Sequence, residues 1–173
     1  MSLSLRISLL PCILLLAFGL AEVKAESSLY NPRDARSLTP EETSVFGPKA
    51  SKFRYDSRMI RAAQIAQDRA RPRSTSKCWR FVKQALLAAG VVDSYPKTVY
   101  AKQAAQELPK SYGFKKLRTM DPYKAPIGGV IVYGGRDAGH IEIRTAHGFV
   151  SDFTATRPYL KRPVIGIFVK PRV

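Results

Sequence analysis

The chain has 173 residues, a length that suits one domain of ordinary size. Its 29 lysines and arginines outnumber its 13 aspartates and glutamates, which gives a formal net charge of +16 at pH 7. So basic a protein favours polyanionic partners. The basic residues are scattered, with no basic arm and no zinc-finger or RNA-binding signature, so nucleic acid is not the expected partner.

The first 25 residues have the pattern of an export signal. A short, positively charged start precedes an almost wholly apolar run from Ile7 to Leu20, and cleavage is predicted after Ala25, with Ala21 as the second candidate. Pro11 interrupts the apolar run, which is shorter than the roughly 20 residues of a membrane-spanning helix. An uncleaved anchor is therefore the less favoured alternative, and no stable membrane insertion is expected after cleavage.

Export makes the cysteine count informative. Cys12 lies within the predicted signal, so residues 26–173 contain a single cysteine, Cys78, and carry a net charge of +15. Cysteines of secreted proteins usually pair in disulfides. A lone thiol in such a protein is either a nucleophile or a small buried residue without chemistry.

The mature chain divides into an arm and one domain. Residues 26–56 are polar and broken by prolines, which predicts an extended arm or pro-segment. Residues 57–173 form the domain, which begins with helical patterns. Three helices are predicted, over Ser57–Ala70, Cys78–Ala89 and Val99–Leu108.

Local signals set the ends of these helices. Either Thr75 or Ser76 can cap the second helix by accepting a hydrogen bond from its free amides. Gly90 ends that helix, and Pro109 is expected to end the third.

The pattern changes from helical to alternating after Pro126. Helices followed by β-rich segments predict an α+β domain with an antiparallel sheet of four to five strands. Four strands are predicted, over Val130–Tyr133, His140–Thr145, Phe149–Thr154 and Val164–Val169, with Phe114–Leu117 as the candidate fifth.

The turn between the second and third of these strands decides which side chains meet. A two-residue turn at Ala146-His147 would mix apolar and charged residues on both faces of the hairpin, which is unfavourable. A three-residue loop that ends at Gly148 gives a nearly consistent apolar face. It also sets Asp152 diagonally across from His140, at ~7–8 Å between backbones.

These positions supply the parts of a thiol nucleophile. Alternation places Ile141 and Ile143 in the core and leaves His140 on an open face. A helix start and a neighbouring imidazolium both favour the thiolate form of a cysteine. We therefore predict Cys78 as nucleophile, His140 as the base that takes and returns its proton, and Asp152 as the carboxylate that orients the imidazole.

Other residues near these three have candidate roles. Ser76 precedes the cysteine and Glu142 shares the face of His140, so both are candidate supporting residues, and Glu142 competes with Asp152 for the orienting role. His147 lies in the turn and is expected to be exposed and non-catalytic. One thiol and two histidines do not form a known zinc spacing, so neither a metal nor another cofactor is expected.

From about Ser76 to Phe153 the chain resembles the NlpC-like and CHAP-type cysteine peptidases and amidases of bacterial cell walls. The matching segments are Lys77–Val82, Pro126–Tyr133, Gly139–Ile143 and Gly148–Phe153. The resemblance implies a papain-like core in which the cysteine opens a helix, the histidine opens a strand and a polar third residue follows.

The residues and the resemblance together predict an exported, monomeric cysteine hydrolase in the periplasm or outside the cell. It would cleave amide bonds of peptidoglycan peptides, as an endopeptidase or amidase, through a thioester, while its basic surface holds an anionic envelope polymer. A toxin-like amidase delivered against competitors is a variant of this prediction. Acyl transfer by the same residues and a non-catalytic basic protein that binds the cell envelope are the alternatives.

Overall fold

The computed structural model describes residues 55–172, which form an α+β fold with three α-helices and a six-stranded antiparallel sheet. The predicted signal peptide, residues 1–25, lies outside the described residues. All but the last two residues of the predicted arm, 26–56, lie outside them as well.

The first two helices form where the sequence predicts them. Helix α1 spans Arg58–Asp68 and helix α2 spans Cys78–Ala88. In α2 the buried residues Trp79, Val82 and Leu86 recur at helical spacing, so one face of the helix is apolar. The two helices pack against each other, and both contact the strand that begins at His140.

The start of α2 differs from the prediction. Lys77 occupies the N-cap position, and no side chain of the α2 N-cap accepts a hydrogen bond from the helix. The predicted capping by Thr75 or Ser76 is therefore wrong. The end of α2 agrees with the prediction. Gly90 follows the helix with a φ of 68°, a left-handed conformation that suits glycine.

The third helix begins and ends later than predicted. A short 3₁₀ turn over Ala101–Gln103 leads into helix α3, Ala104–Tyr112, which passes through Pro109. Proline removes one helical hydrogen bond, but the buried Leu108 and Tyr112 hold the last turn in the core and Gly113 ends it in a left-handed conformation. Packing outweighs the local cost of the proline.

The sheet has six strands: β1 Lys115–Lys116, β2 Val130–Tyr133, β3 His140–Thr145, β4 Gly148–Val150, β5 Thr154–Ala155 and β6 Val164–Val169. Their order in the sheet is β1-β6-β2-β3-β4-β5, and every neighbouring pair is antiparallel. The strands predicted over the ranges of β2, β3 and β6 are confirmed, whereas the predicted strand over Phe149–Thr154 is split into β4 and β5.

The β3–β4 hairpin has the register that alternation disfavours. Thr145 pairs with Gly148 and Ile143 with Val150, so the turn contains two residues and the predicted three-residue loop is wrong. The mixed pairs expected from this register do not form, because the ladder ends at Val150. The next three residues bend away, with the amide of Ser151 donating to the Phe153 carbonyl at 2.9 Å.

The centre of the sheet is buried on both faces. Strand β2 is buried throughout, and all of β3 except Arg144 is buried. His140 therefore does not lie on an open face, as alternation predicted, but is only 9% exposed. Within residues 55–172, no helix has the length and apolar character needed to cross a membrane.

Gly128 lets the start of β2 approach helix α1 closely. Its φ is 86°, and a Cβ atom there would lie 2.5 Å from the Met59 carbonyl carbon. Gly113 has a similar φ of 69° but open space around its would-be Cβ atom. A side chain at Gly113 would therefore meet only backbone strain, whereas a side chain at Gly128 would meet both backbone strain and a steric clash with α1.

We expect Gly113→Ala to lower the free energy of unfolding by about 1–2 kcal/mol, the cost of a left-handed non-glycine residue. Gly128→Ala should lower it by a further ~1–3 kcal/mol, because α1 must shift to admit the methyl group. Urea unfolding of the two variants measures the difference. Equal destabilisation would show that α1 and the sheet are not in close contact at Gly128.

Candidate active site

Cys78 is the first residue of α2 and lies at the edge of a cleft of about 500 Å³. It is a free thiol and is partly exposed. As the first residue of the helix, it has a backbone amide without a helical acceptor, and no other group among the described residues accepts a hydrogen bond from that amide. The position therefore combines an accessible thiol, an unused N–H group and the positive end of a helix dipole.

Asp152 holds the loop that leads into this helix. Its Oδ2 atom accepts hydrogen bonds from the Thr75 amide at 2.5 Å, the Thr75 hydroxyl at 2.9 Å and the Lys77 amide at 3.3 Å. The Asp152 carbonyl also accepts from the Arg71 amide at 2.8 Å. Asp152 is completely buried, so this carboxylate fixes the residues before Cys78 to the bend after β4.

The hydrogen bonds of this loop set the ionisation of Asp152. Burial raises the pKa of the Asp152 carboxyl, but the bonds donated by Thr75 and Lys77 outweigh burial and hold the pKa below its ordinary value. Asp152 is therefore ionised at neutral pH. It is an anion whose charge is met by backbone amides.

His140 opens β3 and lines the same cleft as Cys78. Its Nε2 atom lies 3.6 Å from Glu142 Oε2. That nitrogen is buried and has no hydrogen-bond partner among the described residues. Glu142 is thus the carboxylate beside the imidazole, although the pair is slightly too far apart for a direct hydrogen bond.

Two tyrosines hold Glu142 and His140 in place. The Tyr133 hydroxyl donates to Glu142 Oε1, which also accepts from the Tyr159 amide at 3.3 Å. The Tyr159 ring lies 4.5 Å from the imidazole, measured between centroids. Tyr133 faces His140 directly across the β2–β3 ladder, at 5.7 Å between ring centroids.

The surroundings of His140 favour its protonated form. Burial lowers the pKa of the imidazole, but interactions with Cys78 and then Glu142 raise it from 6.5 to about 9. A charged imidazole beside Glu142 holds a proton in the cleft that Cys78 also lines.

The predicted site residues fall into two groups. His140 lies beside Glu142 and lines the cleft with Cys78. Asp152 also lines the cleft, but its hydrogen bonds among the described residues go to the loop and to Ser151, not to His140. The wrong hairpin register is the reason for the misplaced partner. Ser76 lines the cleft two residues before the cysteine.

His147 belongs to another part of the surface. It is exposed and lines a separate, smaller depression beside Phe149 and Thr156. Within residues 55–172, no group of three histidine, cysteine or acidic residues is arranged to hold a metal ion.

Sequence reasoning missed the two tyrosines and one ion pair. Tyr133 ends a predicted strand opposite His140, so correct β2–β3 pairing would have found it. Tyr159 and Arg162 lie in the long loop before β6, and no local sequence pattern predicts that they reach the cleft. Arg162 makes two hydrogen bonds to Asp137, one of them 2.6 Å long, and both residues line the cleft.

Asp152→Asn tests the loop anchor, because an amide nitrogen cannot accept the hydrogen bonds that a carboxylate accepts. We expect the free energy of unfolding at pH 7 to fall by about 1–3 kcal/mol. Because the folded-state pKa is depressed, the carboxylate contributes fully above its ordinary pKa of about 3.9, and that contribution is lost as the pH falls through the folded-state value.

The gap between the wild-type protein and Asp152→Asn should therefore be constant from about pH 5 to about pH 8 and should shrink below about pH 4. Urea titrations across this range measure it. A gap that does not change with acidification would mean that the charge of Asp152 does not hold the loop.

The comparisons with known proteins give a shared fold. No protein-family model matches the chain, and no curated protein matches it. Among solved structures, the chain is similar to a chain in the crystal structure of the type VI native effector–immunity complex Tae3–Tai3 from Ralstonia pickettii. The TM-score is 0.54 and the sequence identity 23%, over 66% of this chain and 98% of the other.

Proposed function

We propose that this chain is an exported cysteine hydrolase that cleaves amide bonds in peptidoglycan peptides. The observation that carries the proposal is that Cys78, at the start of a helix, and the buried His140 line one cleft. A small buried cysteine without chemistry requires neither the imidazole nor a cleft. A cysteine that opens a helix and a histidine that opens a strand are also what the resemblance to NlpC-like and CHAP-type enzymes implies.

The reaction follows from these groups. The Cys78 thiolate attacks the amide carbonyl, and the unused Cys78 amide donates to the oxyanion. Protonated His140 gives its proton to the leaving amine, which leaves a thioester on Cys78. Neutral His140 then takes a proton from water, and the hydroxide equivalent releases the carboxylic acid and the thiol.

The two carboxylates have different roles in this proposal. Glu142 orients His140 and stabilises its charged form, and the 3.6 Å separation from Nε2 would shorten when the imidazolium forms. Asp152 acts through the loop, by positioning the start of α2. The proposed constellation is therefore Cys78, His140 and Glu142, with Asp152 as a positioning residue.

Two features support peptidoglycan as the substrate. The resemblance is to cell-wall enzymes, and the high positive charge suits an anionic wall polymer. The similarity in fold to a chain of an effector–immunity complex favours the toxin-like variant, in which a partner protein would protect the producing cell. Export through a cleaved signal remains part of this proposal.

Digestion of purified peptidoglycan by the mature protein tests the activity. We expect new peptide products identified by mass, and a loss of about 10³-fold or more in Cys78→Ala and His140→Ala, since nucleophile and base act as one unit. Unfolding midpoints of both variants should stay near that of the wild-type protein. Added amines would appear in the products if the enzyme transfers acyl groups instead of hydrolysing them.

The non-catalytic alternative predicts a different result. A basic wall-binding protein would sediment with peptidoglycan as strongly after Cys78→Ala as before it, and would yield no products. Identical fragments from the wild-type protein and Cys78→Ala would likewise overturn the cysteine mechanism.

Glu142→Gln tests the orienting carboxylate through the pH profile. Activity should fall as the pH rises through about 9, because His140 then loses the proton that the leaving amine needs. Since the charge of Glu142 raises the pKa of His140, Glu142→Gln should move this alkaline limb to lower pH and reduce kcat/KM by about 10-fold or more. Asp152→Asn should reduce activity without moving the limb. An unmoved limb in Glu142→Gln would remove Glu142 from the proposed constellation.

A further inference from the structure

We propose that Lys77 and Arg80 form a binding site for a substrate carboxylate next to Cys78. The substrate would then be an acidic peptide whose carboxylate lies close to the scissile amide. The proposal deepens the proposed function and rests on it for the catalytic consequence. The anion site itself is testable without hydrolysis.

The two cations flank the nucleophile. Lys77, the N-cap residue, immediately precedes Cys78, and Arg80 follows Cys78 by two residues, so both cations belong to the start of α2. Both are exposed and both line the cleft. Both residues therefore line the cleft that a substrate of Cys78 would enter.

The other charged side chains around the cleft already have partners within the protein. Arg162 is paired with Asp137, and the Lys102 ammonium donates to the carbonyls of Gly135 and Arg136 at 3.3 Å each. The Asp152 carboxylate is buried beneath the loop. Among residues 55–172, neither Lys77 nor Arg80 forms an ion pair.

Unpaired lysine and arginine side chains at the start of a helix favour an anionic ligand. They stand at the positive end of α2, where the helix dipole adds to their charge. Arginine and lysine bind carboxylates through charge-assisted hydrogen bonds, and arginine can offer two parallel donors. Nothing acidic on the described cleft wall is free to neutralise them, so the missing anion is expected from the ligand.

Alkylation of Cys78 by two small reagents measures this preference directly. Iodoacetate carries a carboxylate and iodoacetamide does not, but both react with the same thiolate, so the ratio of their rates is independent of the thiolate fraction. We expect the iodoacetate-to-iodoacetamide ratio to fall by about 5- to 20-fold in Lys77→Gln/Arg80→Gln. Mass spectrometry of the Cys78 peptide gives both rates.

A second double variant controls for overall charge. Lys110→Gln/Lys115→Gln also removes two exposed positive charges, but from α3 and β1, outside the cleft. Its ratio should stay within about twofold of the wild-type value, since screening at physiological salt limits distant charges. Equal ratios in all three proteins, or equal falls in both double variants, would overturn the carboxylate site.

Hydrolysis of matched peptides links the site to catalysis. One stem-peptide substrate carries a free carboxylate beside the scissile amide, and its partner carries a carboxamide there. Lys77→Gln/Arg80→Gln should lose about 10-fold in kcat/KM on the first and little on the second. Equal losses on both peptides would contradict the proposal.

The two proposals fail in different ways. If the alkylation ratio falls in the cleft variant but the wild-type protein cleaves neither peptide, the anion site stands and the hydrolase proposal fails. If the wild-type protein cleaves both peptides and the ratio does not change, the hydrolase stands and the anion site fails.

Discussion

The site depends on one buried carboxylate. Asp152 is shielded from water yet has no lysine or arginine partner in the described chain; backbone amides and hydroxyls meet its charge instead. Burying an ionised carboxylate is costly unless hydrogen bonds replace its water. Because the donors come from the loop before Cys78, satisfying Asp152 requires that loop to lie against the sheet. The start of α2 and the strand of His140 are thereby held together.

Glu142 is a second buried carboxyl group, but side chains as well as a backbone amide surround it. Its partners are the Tyr133 hydroxyl, the Tyr159 amide and the nearby His140 imidazole. Burial first, and the charge of Glu142 second, raise the pKa of Tyr133, so the phenol stays protonated and remains a donor. Asp152 therefore lies in fixed backbone contacts, whereas Glu142 faces a group whose charge changes during the proposed reaction. Of the two carboxylates, only Glu142 lies beside His140, so only Glu142 can stabilise the imidazolium when it forms.

The sequence predicted the elements better than their contacts. Periodicity placed β2, β3 and β6 at their observed bounds, and the cysteine and histidine at the starts of a helix and a strand. It failed where tertiary packing decides: Pro109 stays inside α3, and the hairpin adopts the two-residue turn. The predicted register requires the β3–β4 ladder to continue to Phe153. It ends at Val150, and two residues later Asp152 binds the loop before α2 instead of pairing with β3.

That error explains why Asp152, and not Glu142, was predicted to lie beside the histidine. Asp152 and Glu142 were both candidates, and only the register separated them. Glu142 needs no register, since two residues apart on one strand already places it on the face of His140. The contacts of Tyr159, which come from a loop without periodicity, could not be found from any local pattern.

The backbone at Ser76 shows what the buried carboxylate achieves. Ser76 has a φ of 58°, a left-handed conformation that costs a non-glycine residue about 1–2 kcal/mol. This turn lets the amides on either side, those of Thr75 and Lys77, converge on one oxygen of Asp152. Such a concave run of amides binds anions, and here the protein supplies its own anion. Within residues 55–172 the next amide in the chain, that of Cys78, has no acceptor, so the strained turn and the buried carboxylate together leave one free donor for the oxyanion of the proposed reaction.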